Sequence, residues 1–394
     1  MAVFGATPSG GVGRLALTDE DRQARDLFVT WAREAGCEIR IDGVGNIFAR
    51  RAGTNPAAAP VMTGSHLDTQ PLGGRFDGIF GVLAGLEAVR ALNDADVHHE
   101  KPIDIVCWTD EEGSRFGDGC LGSSAFTGGR TLAETLAMTD ADGLSVGSEL
   151  QRIGYAGPEP VGGYAVDSFF EVHIEQGPIL ENAGLQIGAV EGAQAATVYE
   201  ITITGEEGHA GTLPMTLRKD AMRGAAEMIH RVDDVAFEFE PYPVITVGHV
   251  RVRPNSRNTI PGQVVFTIDS RHPDTETLAA AGARMVAICE EVSNTQGLGL
   301  SINVKGHRDS VAFDTQCIQA VRDAANALGI PHMDIYSGAG HDAIYLARTC
   351  PAGMIFVPCE DGISHNEAEN ARPEDLAAGT DVLMHALLAR AGRV

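Results

Sequence analysis

The sequence predicts an α/β domain interrupted by a smaller α+β unit, and three observations carry that expectation. Ile103–Trp108 is an apolar, β-branched run without clear alternation, as expected of a strand covered on both faces. After Ile79 the apolar residues Ile79, Val82, Leu83, Leu86, Val89 and Leu92 keep the 3.6-residue period of a helix packed on a core. Between Val198 and Lys305 the order becomes strand, helix, strand, strand, helix, strand, the split βαβ pattern of a ferredoxin-like sandwich. The α/β pattern then resumes, which sets the larger, discontinuous domain at 1–190 with 307–394 and the insertion at 191–306.

Taken in order, Thr18 opens the first helix, its hydroxyl placed to cap amides near Asp21, and Gly36 stops it. Glu38–Arg50 reads as strand, turn at Gly43–Asn46, and strand. Val61 and Met62 then end a short strand that runs into a Gly-rich loop. Gly64, Gly73, Gly74 and Gly78 let that loop turn sharply before the helix at Ile79. His66 and Asp77 lie in it, where α/β proteins bind ligands. The strand Ile103–Trp108 ends in Thr109, Asp110, Glu111 and Glu112, so acidic side chains emerge at its carboxyl end. A loosely patterned section follows, with helical stretches that have no clear placement. Phe169–Gln176 alternates, with Phe170, Val172 and Ile174 on one face and Glu171, His173 and Glu175 on the other.

In the insertion, strands are expected at Val198–Thr204, Val244–Val250, Gln263–Arg271 and Leu300–Lys305, with helices at Met215–Val232 and Thr275–Val292. A helix at Asp314–Leu328, a strand around Met354–Val357 and a helix at Glu374–Ala391 close the larger domain.

A length of 394 residues suits two domains, and 44% hydrophobic residues describe an ordinary globular protein. No apolar run approaches the roughly 20 residues of a bilayer span, and no secretory leader opens the chain, so a soluble, cytoplasmic protein is expected. Seven scattered cysteines without a CxxC pair argue against a disulfide framework and against a thiolate metal site. A net charge of −25 disfavours nucleic acid and anionic membranes as partners. Positive charge for an anionic substrate must then be local.

Further polar clusters stand at GEEGHAGT (205–212), NSRNTIPG (255–262), DSRH (269–272), SGAGHDA (337–343) and GISHNEAE (362–369). Singly, each fits a blander reading: a lone histidine is more often structural than a ligand, and adjacent acids usually form a solvated strand end. Jointly, His66, Asp77, Glu112, His173 and His365 supply three imidazoles and two carboxylates at strand ends or adjoining loops of one domain. That donor set suits Zn²⁺, Mn²⁺ or Co²⁺, and a pair of such ions about 3.5–4 Å apart needs a bridging carboxylate. Glu111, beside a ligand, is free to serve as a general base, and Asp68 can orient His66 through its second ring nitrogen.

The segments GSHLDTQPLGGRFDG, EEGSRF, HIEQGP, GHAGT, NTIPG, GAGHDA and DGISHNEAE resemble, in order and spacing, the M20 metallopeptidase clan. They are most similar to its hydantoinase/carbamoylase branch of amidases, and His173, where peptidases of the clan usually have a carboxylate, favours that branch. The resemblance runs from about Gly10 to the C-terminus. It implies a zinc-peptidase-like catalytic domain with an inserted lid and dimerisation domain. It also implies two divalent ions (Zn, Mn, Co or Ni): Asp77 bridges them, His66 and His173 hold one, and Glu112 and His365 hold the other. Glu111 becomes the base, and His209 the stabiliser of the oxyanion, often reaching the neighbouring subunit of a homodimer. Arg271 and Asn258, with Gln176 and the Gly340 amide nearby, bind the substrate carboxylate.

The implied activity is hydrolysis of the ureido C–N bond of an N-carbamoyl-L-amino acid. The alternatives are allantoate amidohydrolase or β-ureidopropionase and, more distantly, a peptidase or an inactive binding protein. The chain departs from the family in opening with MAVFGATPSGGVGR where relatives commonly carry an extra helical segment. The small residues of GAQAAT (192–197) lean toward a carbamoyl amino acid.

Overall fold

The computed structural model describes residues 1–394, and the chain divides into two compact units, Met1–Gly192 with Ala312–Val394, and Ala193–Val311. In chain order the first unit begins with α1 (Asp19–Glu34), β1 (Glu38–Ile41), β2 (Ile47–Arg51), β3 (Val61–His66), α2 (Ile79–Asp94) and β4 (Ile103–Trp108). It continues with α3 (Leu121–Phe126), α4 (Leu132–Ala137), α5 (Val146–Ile153), β5 (Ser168–Ile174), α6 (Ile179–Ala183) and β6 (Ile187–Ala193). The second unit holds β7 (Ala195–Thr204), β8 (Gly208–His209), α7 (Ala221–Asp234), β9 (Val244–Thr246), β10 (Val250–Arg253), β11 (Thr259–Ile260), β12 (Gln263–His272), α8 (Thr275–Gln296) and β13 (Gly299–Arg308). After the short strand β14 (Val311–Ala312), the first unit closes with α9 (Thr315–Leu328), β15 (His332–Ser337), α10 (Asp342–Leu346), β16 (Ala352–Val357) and α11 (Pro373–Ala391).

The first unit is built on a nine-stranded mixed sheet of order β1-β2-β4-β3-β5-β16-β6-β14, with β15 paired to β6. Its centre is parallel: β3 pairs β4 and β5, and β5 pairs β16. Every residue of β3, β4, β5 and β16 is buried. Helices cover both faces, as a parallel centre requires. Val172 of β5 lies toward α2 and α11, whereas Glu171 and His173 lie toward the start of α10. The alternation expected in Phe169–Gln176 is therefore real as a change of face, but its polar side is buried. Parallel central strands consequently present the ends of β3, β4 and β5 on one edge, which is where the motif residues fall.

In the second unit the sheet order β10-β12-β7-β13, with β9 also on β12, is that of the split βαβ sandwich. Ile201, Ile203, Val264, Phe266 and Ile268 of the sheet meet Met228 and Val232 of α7 and Met285, Ile288 and Val292 of α8 in one core.

Several expectations need correcting. β3 extends to His66, so His66 ends a strand and does not lie in the loop. Met215–Leu217 is an isolated 3₁₀ turn, and α7 starts only where Asp220 accepts hydrogen bonds from the amides of Met222 and Arg223. The strand expected over Val244–Val250 is two strands, β9 and β10, both paired with β12. Elsewhere, Thr18 caps the amide of Asp21 as its sequence position suggests. No helix is long and apolar enough to cross a membrane, and all seven cysteines are free.

Candidate metal centre

Local conformation aims the acidic and imidazole groups at one point. After β4 the chain turns through Asp110 at φ 54°, and it adopts φ 59° at Gln176 and φ 52° at His365. Left-handed backbone at a non-glycine residue costs of order 1–3 kcal/mol, and such residues cluster where a site over-determines them. Asp68 accepts the amides of Glu111 (3.4 Å) and Glu112 (3.2 Å), which fixes the turn after β4 to the end of β3. Gly78, at φ +66° ahead of α2, lies against His66 so closely that a Cβ would fall 2.2 Å from the ring.

Asp77 is the hub. Its Oδ1 stands 3.5 Å from Nε2 of His66 and 3.1 Å from Nε2 of His173, and its Oδ2 stands 3.4 Å from Nε2 of His365. Glu112 Oε2 is 3.5 Å from the same His365 nitrogen. Two groups result, His66–Asp77–His173 and Asp77–Glu112–His365, each with its potential ligand atoms within 4.8 Å of one another and with Asp77 common to both.

Whether these residues suit a cation can be read from their protons. Nδ1 of His66 faces the carbonyl of Asp68 at 2.9 Å, and Nδ1 of His173 faces the carbonyl of Ile174 at 2.9 Å. A carbonyl only accepts, so in the neutral rings Nδ1 carries the proton and Nε2 turns a lone pair toward a carboxylate. The amide of Gly78 donates to that lone pair on His173 at 3.1 Å. Lone pairs facing a buried carboxylate call for positive charge between them, either protons or a bound ion. Two imidazoles and a carboxylate oxygen, and in the second group an imidazole and two carboxylates, are donor sets for borderline divalent cations. One Glu112 oxygen, Oε1, is buried without a partner and open to such an ion. Asp68 orients His66 through its second ring nitrogen, as expected, and does so with its backbone carbonyl, while its carboxylate is engaged by the two glutamate amides.

The electrostatics agree. Burial pushes Glu111 well above the usual carboxylate range, assisted by the charges of Asp342, Glu112 and Asp77, although His66 opposes the shift. Burial likewise raises Glu112 to about 7, with Asp77 adding to it. For Asp77 burial acts upward too, but the charge of His173 and the hydrogen bonds of all three rings prevail and hold it well below its ordinary value. His66 is raised well above its ordinary value: burial opposes this, and Glu111 and Asp77 outweigh burial.

Glu111 lies at the cluster's edge, Oε2 3.5 Å from Nε2 of His66, while the thiol of Cys120 donates to Oε1 at 3.2 Å. Gln176, expected near the substrate carboxylate, donates to Asp77 Oδ2 at 2.8 Å and lies 3.4 Å from Nε2 of His365. An amide with two donors is drawn to the most charged acceptor in reach. Gly340 ends the loop before His341, whose ring meets His173 edge-on with centroids 4.7 Å apart.

The other motif residues belong to the second unit. His209 on β8 pairs with Thr259 on β11, and the amide of Ala210 donates to the carbonyl of Asn258 at 3.0 Å, which brings His209 and Asn258 together. His209 is exposed, and its Nδ1 accepts the amide of Gly211 at 3.1 Å. Arg271 on β12 is half-exposed and grips Asp269 with both Nε (3.0 Å) and a terminal nitrogen (3.0 Å), so a carboxylate already occupies its fork.

Sequence reading missed Gln70, whose amide donates to Glu112 Oε2 at 2.6 Å, and Ser364 and Glu369, which brace Asp77. All three lie inside the quoted motifs, where their polar character in a loop is the only signal, since their partners are far away in sequence.

Comparison with known proteins accords with this geometry. The family model for peptidase family M20/M25/M40 matches residues 62–389. An N-carbamoyl-L-amino-acid amidohydrolase of Rhizobium meliloti is 47% identical, covering 98% of this chain and 93% of its own. A ureidoglycolate hydrolase of Arabidopsis thaliana is 34% identical, covering 97% of this chain and 83% of its own. The crystal structure of a hydantoinase/carbamoylase family amidase from Burkholderia multivorans superposes with a TM-score of 0.97 at 53% identity, covering 99% of this chain and 95% of its own. The chain thus belongs to peptidase family M20/M25/M40 and, within it, to the hydantoinase/carbamoylase amidases.

Proposed function

We propose that the protein is a two-metal amidohydrolase that cleaves the ureido C–N bond of N-carbamoyl-L-amino acids, giving the amino acid, carbon dioxide and ammonia. The observation that carries the reading is Asp77, one oxygen facing the His66–His173 pair and the other facing His365. The resemblance over the whole chain to an N-carbamoyl-L-amino-acid amidohydrolase supports the choice of substrate.

On this reading Asp77, His66 and His173 would hold one divalent ion and Asp77, Glu112 and His365 a second, each Zn²⁺, Mn²⁺, Co²⁺ or Ni²⁺. When bound, the ions polarise the ureido carbonyl and acidify a water. Glu111 takes the proton of the attacking water at Oε2 and returns it to the leaving nitrogen, its other oxygen being occupied by Cys120. His209 donates to the oxyanion of the tetrahedral intermediate. Arg271 exchanges Asp269 for the substrate carboxylate, a planar fork meeting a bidentate acceptor; Asn258, Gln176 and the Gly340 amide are the further substrate-binding groups of this reading. The unit carrying His209, Asn258 and Arg271 serves as the lid and as the surface of a homodimer.

Ammonia release should be followed on several N-carbamoyl-L-amino acids, N-carbamoyl-β-alanine, allantoate, ureidoglycolate and a set of dipeptides. The reading expects turnover of the L-α-carbamoyl compounds above all others. A preference for allantoate, ureidoglycolate or the β-compound replaces the substrate, and a preference for dipeptides replaces the reaction.

A further inference from the structure

The two halves of the centre are held differently. His66 and His173 end central strands, are buried, and have Nδ1 fixed by backbone carbonyls. His365 sits on a loop with its side chain 50% exposed. What ties that loop to Asp77 is Glu369. Its Oε1 accepts the amides of both Phe76 (2.9 Å) and Asp77 (3.0 Å), and its Oε2 receives the hydroxyl of Ser364 at 3.1 Å. Ser364 Oγ also stands 3.0 Å from Asp77 Oδ2, the oxygen that faces His365. Gly74 leaves room for this carboxylate, since a Cβ there would fall 2.1 Å from it. Glu369 is buried, 1% exposed, so its contacts are not loosened by solvent.

We infer that Glu369 is a positioning residue for the metal centre: through two amides and Ser364 it sets the distance between the Asp77 loop and the His365 loop, and thereby makes the Asp77–Glu112–His365 half of the site. The inference rests on the two-metal reading of that site. Glu369 touches neither substrate nor ion. It acts by keeping Asp77 Oδ2 and His365 Nε2 at ion-sharing separation, as outer partners of ligands commonly do, with losses of about 10–100-fold in metal affinity when removed. Without it, the two amides of the Asp77 loop lose their acceptor, and the His365 loop is left with the side-chain contacts of Ser364, His365 and Gln176 at Asp77 Oδ2, while the strand-borne His66 and His173 keep their places.

The test compares the full chain with Glu369→Ala and Glu369→Gln. Glutamine retains an oxygen for the two amides and donates to Ser364 Oγ, whose proton then turns to Asp77 Oδ2, so it should rescue. Bound Mn²⁺ per chain is measured by equilibrium dialysis against graded chelator, and exchange of the Phe76 and Asp77 amides is measured by NMR in the metal-stripped protein. The inference predicts that Glu369→Ala keeps one ion near wild-type affinity and loses the other by about 10–100-fold. It also predicts faster exchange at those two amides, with Glu369→Gln close to wild type in both. Equal weakening of both ions, unchanged binding, or a glutamine variant no better than alanine overturns it. A wild-type chain that binds fewer than two ions instead defeats the two-metal reading itself, so the two failures are distinguishable.

Discussion

Glu111 places Oε1 on the Cys120 thiol and leaves Oε2 toward the cluster, so its two oxygens have separate tasks. Glu111→Gln preserves shape and the Cys120 contact but cannot take a proton. It should retain both ions while kcat falls by about 10²–10⁴-fold, the usual contribution of a positioned base. Metal content measured beside kcat checks this, and retained turnover removes Glu111 as the base. Arg271 shows the opposite economy, because its fork is occupied by Asp269 until a stronger acceptor arrives. Arg271→Ala should raise KM by about 10–100-fold with a smaller change in kcat, as expected when a charged hydrogen bond shared by ground and transition states is lost. An unchanged KM means that the carboxylate binds elsewhere. At this scale, residue types were legible in the sequence and partners were not. His66, Asp77, Glu112, His173 and His365 stand out as donors by chemistry alone. That Gln176 serves Asp77, or that it is the backbone carbonyl of Asp68 that holds His66, depends on atoms brought together only by the fold.

Among the elements, those defined by local signals could be read directly. Thr18 caps α1, Asp314 caps α9 by accepting from the amides of Gln316 and Cys317, and the apolar period from Ile79 gives α2 its true start. Elements defined by long-range pairing were harder. The short helices α3, α4 and α5 carry too few turns for a period to declare itself, and β15, with exposed Asp334 and Tyr336, reads as polar chain until it pairs with β6. Met215 and Leu217 continue the apolar pattern of α7 toward its N-terminus but form a separate 3₁₀ turn, and the helix itself begins at the Asp220 cap. The turn from β3 to α2 is the element on which the site depends most. Gly78→Ala would need a Cβ 2.2 Å from the His66 ring and a left-handed alanine, so stability should fall by about 1–3 kcal/mol and ion binding should weaken. Urea unfolding of the metal-stripped protein, with metal content alongside, measures both. Wild-type values in the two assays mean that the loop relaxes without strain.

For the molecule as a whole, an acidic chain of net charge −25 concentrates buried carboxylates where its strands end. Such a centre binds protons or cations in competition. Glu112 is raised to about 7, and burial with its acidic neighbours raises Glu111 as well. Below about pH 7 a proton must therefore leave Glu112 before an ion enters, and metal affinity should fall by about tenfold per pH unit for each proton displaced. The same shift acts on folding. The folded metal-free chain binds a proton that the unfolded chain releases near its ordinary value of 4.5, so this group's contribution to stability is lost as pH rises from there to about 7. Chelator competition at several pH values tests the prediction, and a pH-independent affinity contradicts it. The most direct measurement is a titration of metal-stripped protein with Mn²⁺, Co²⁺, Ni²⁺ or Zn²⁺, recording bound ions and ammonia release from an N-carbamoyl-L-amino acid in the same samples. The proposed mechanism predicts no release without metal and turnover that rises to its maximum as two ions per chain are bound. Full turnover in the stripped protein, or silence with both sites filled, would contradict it.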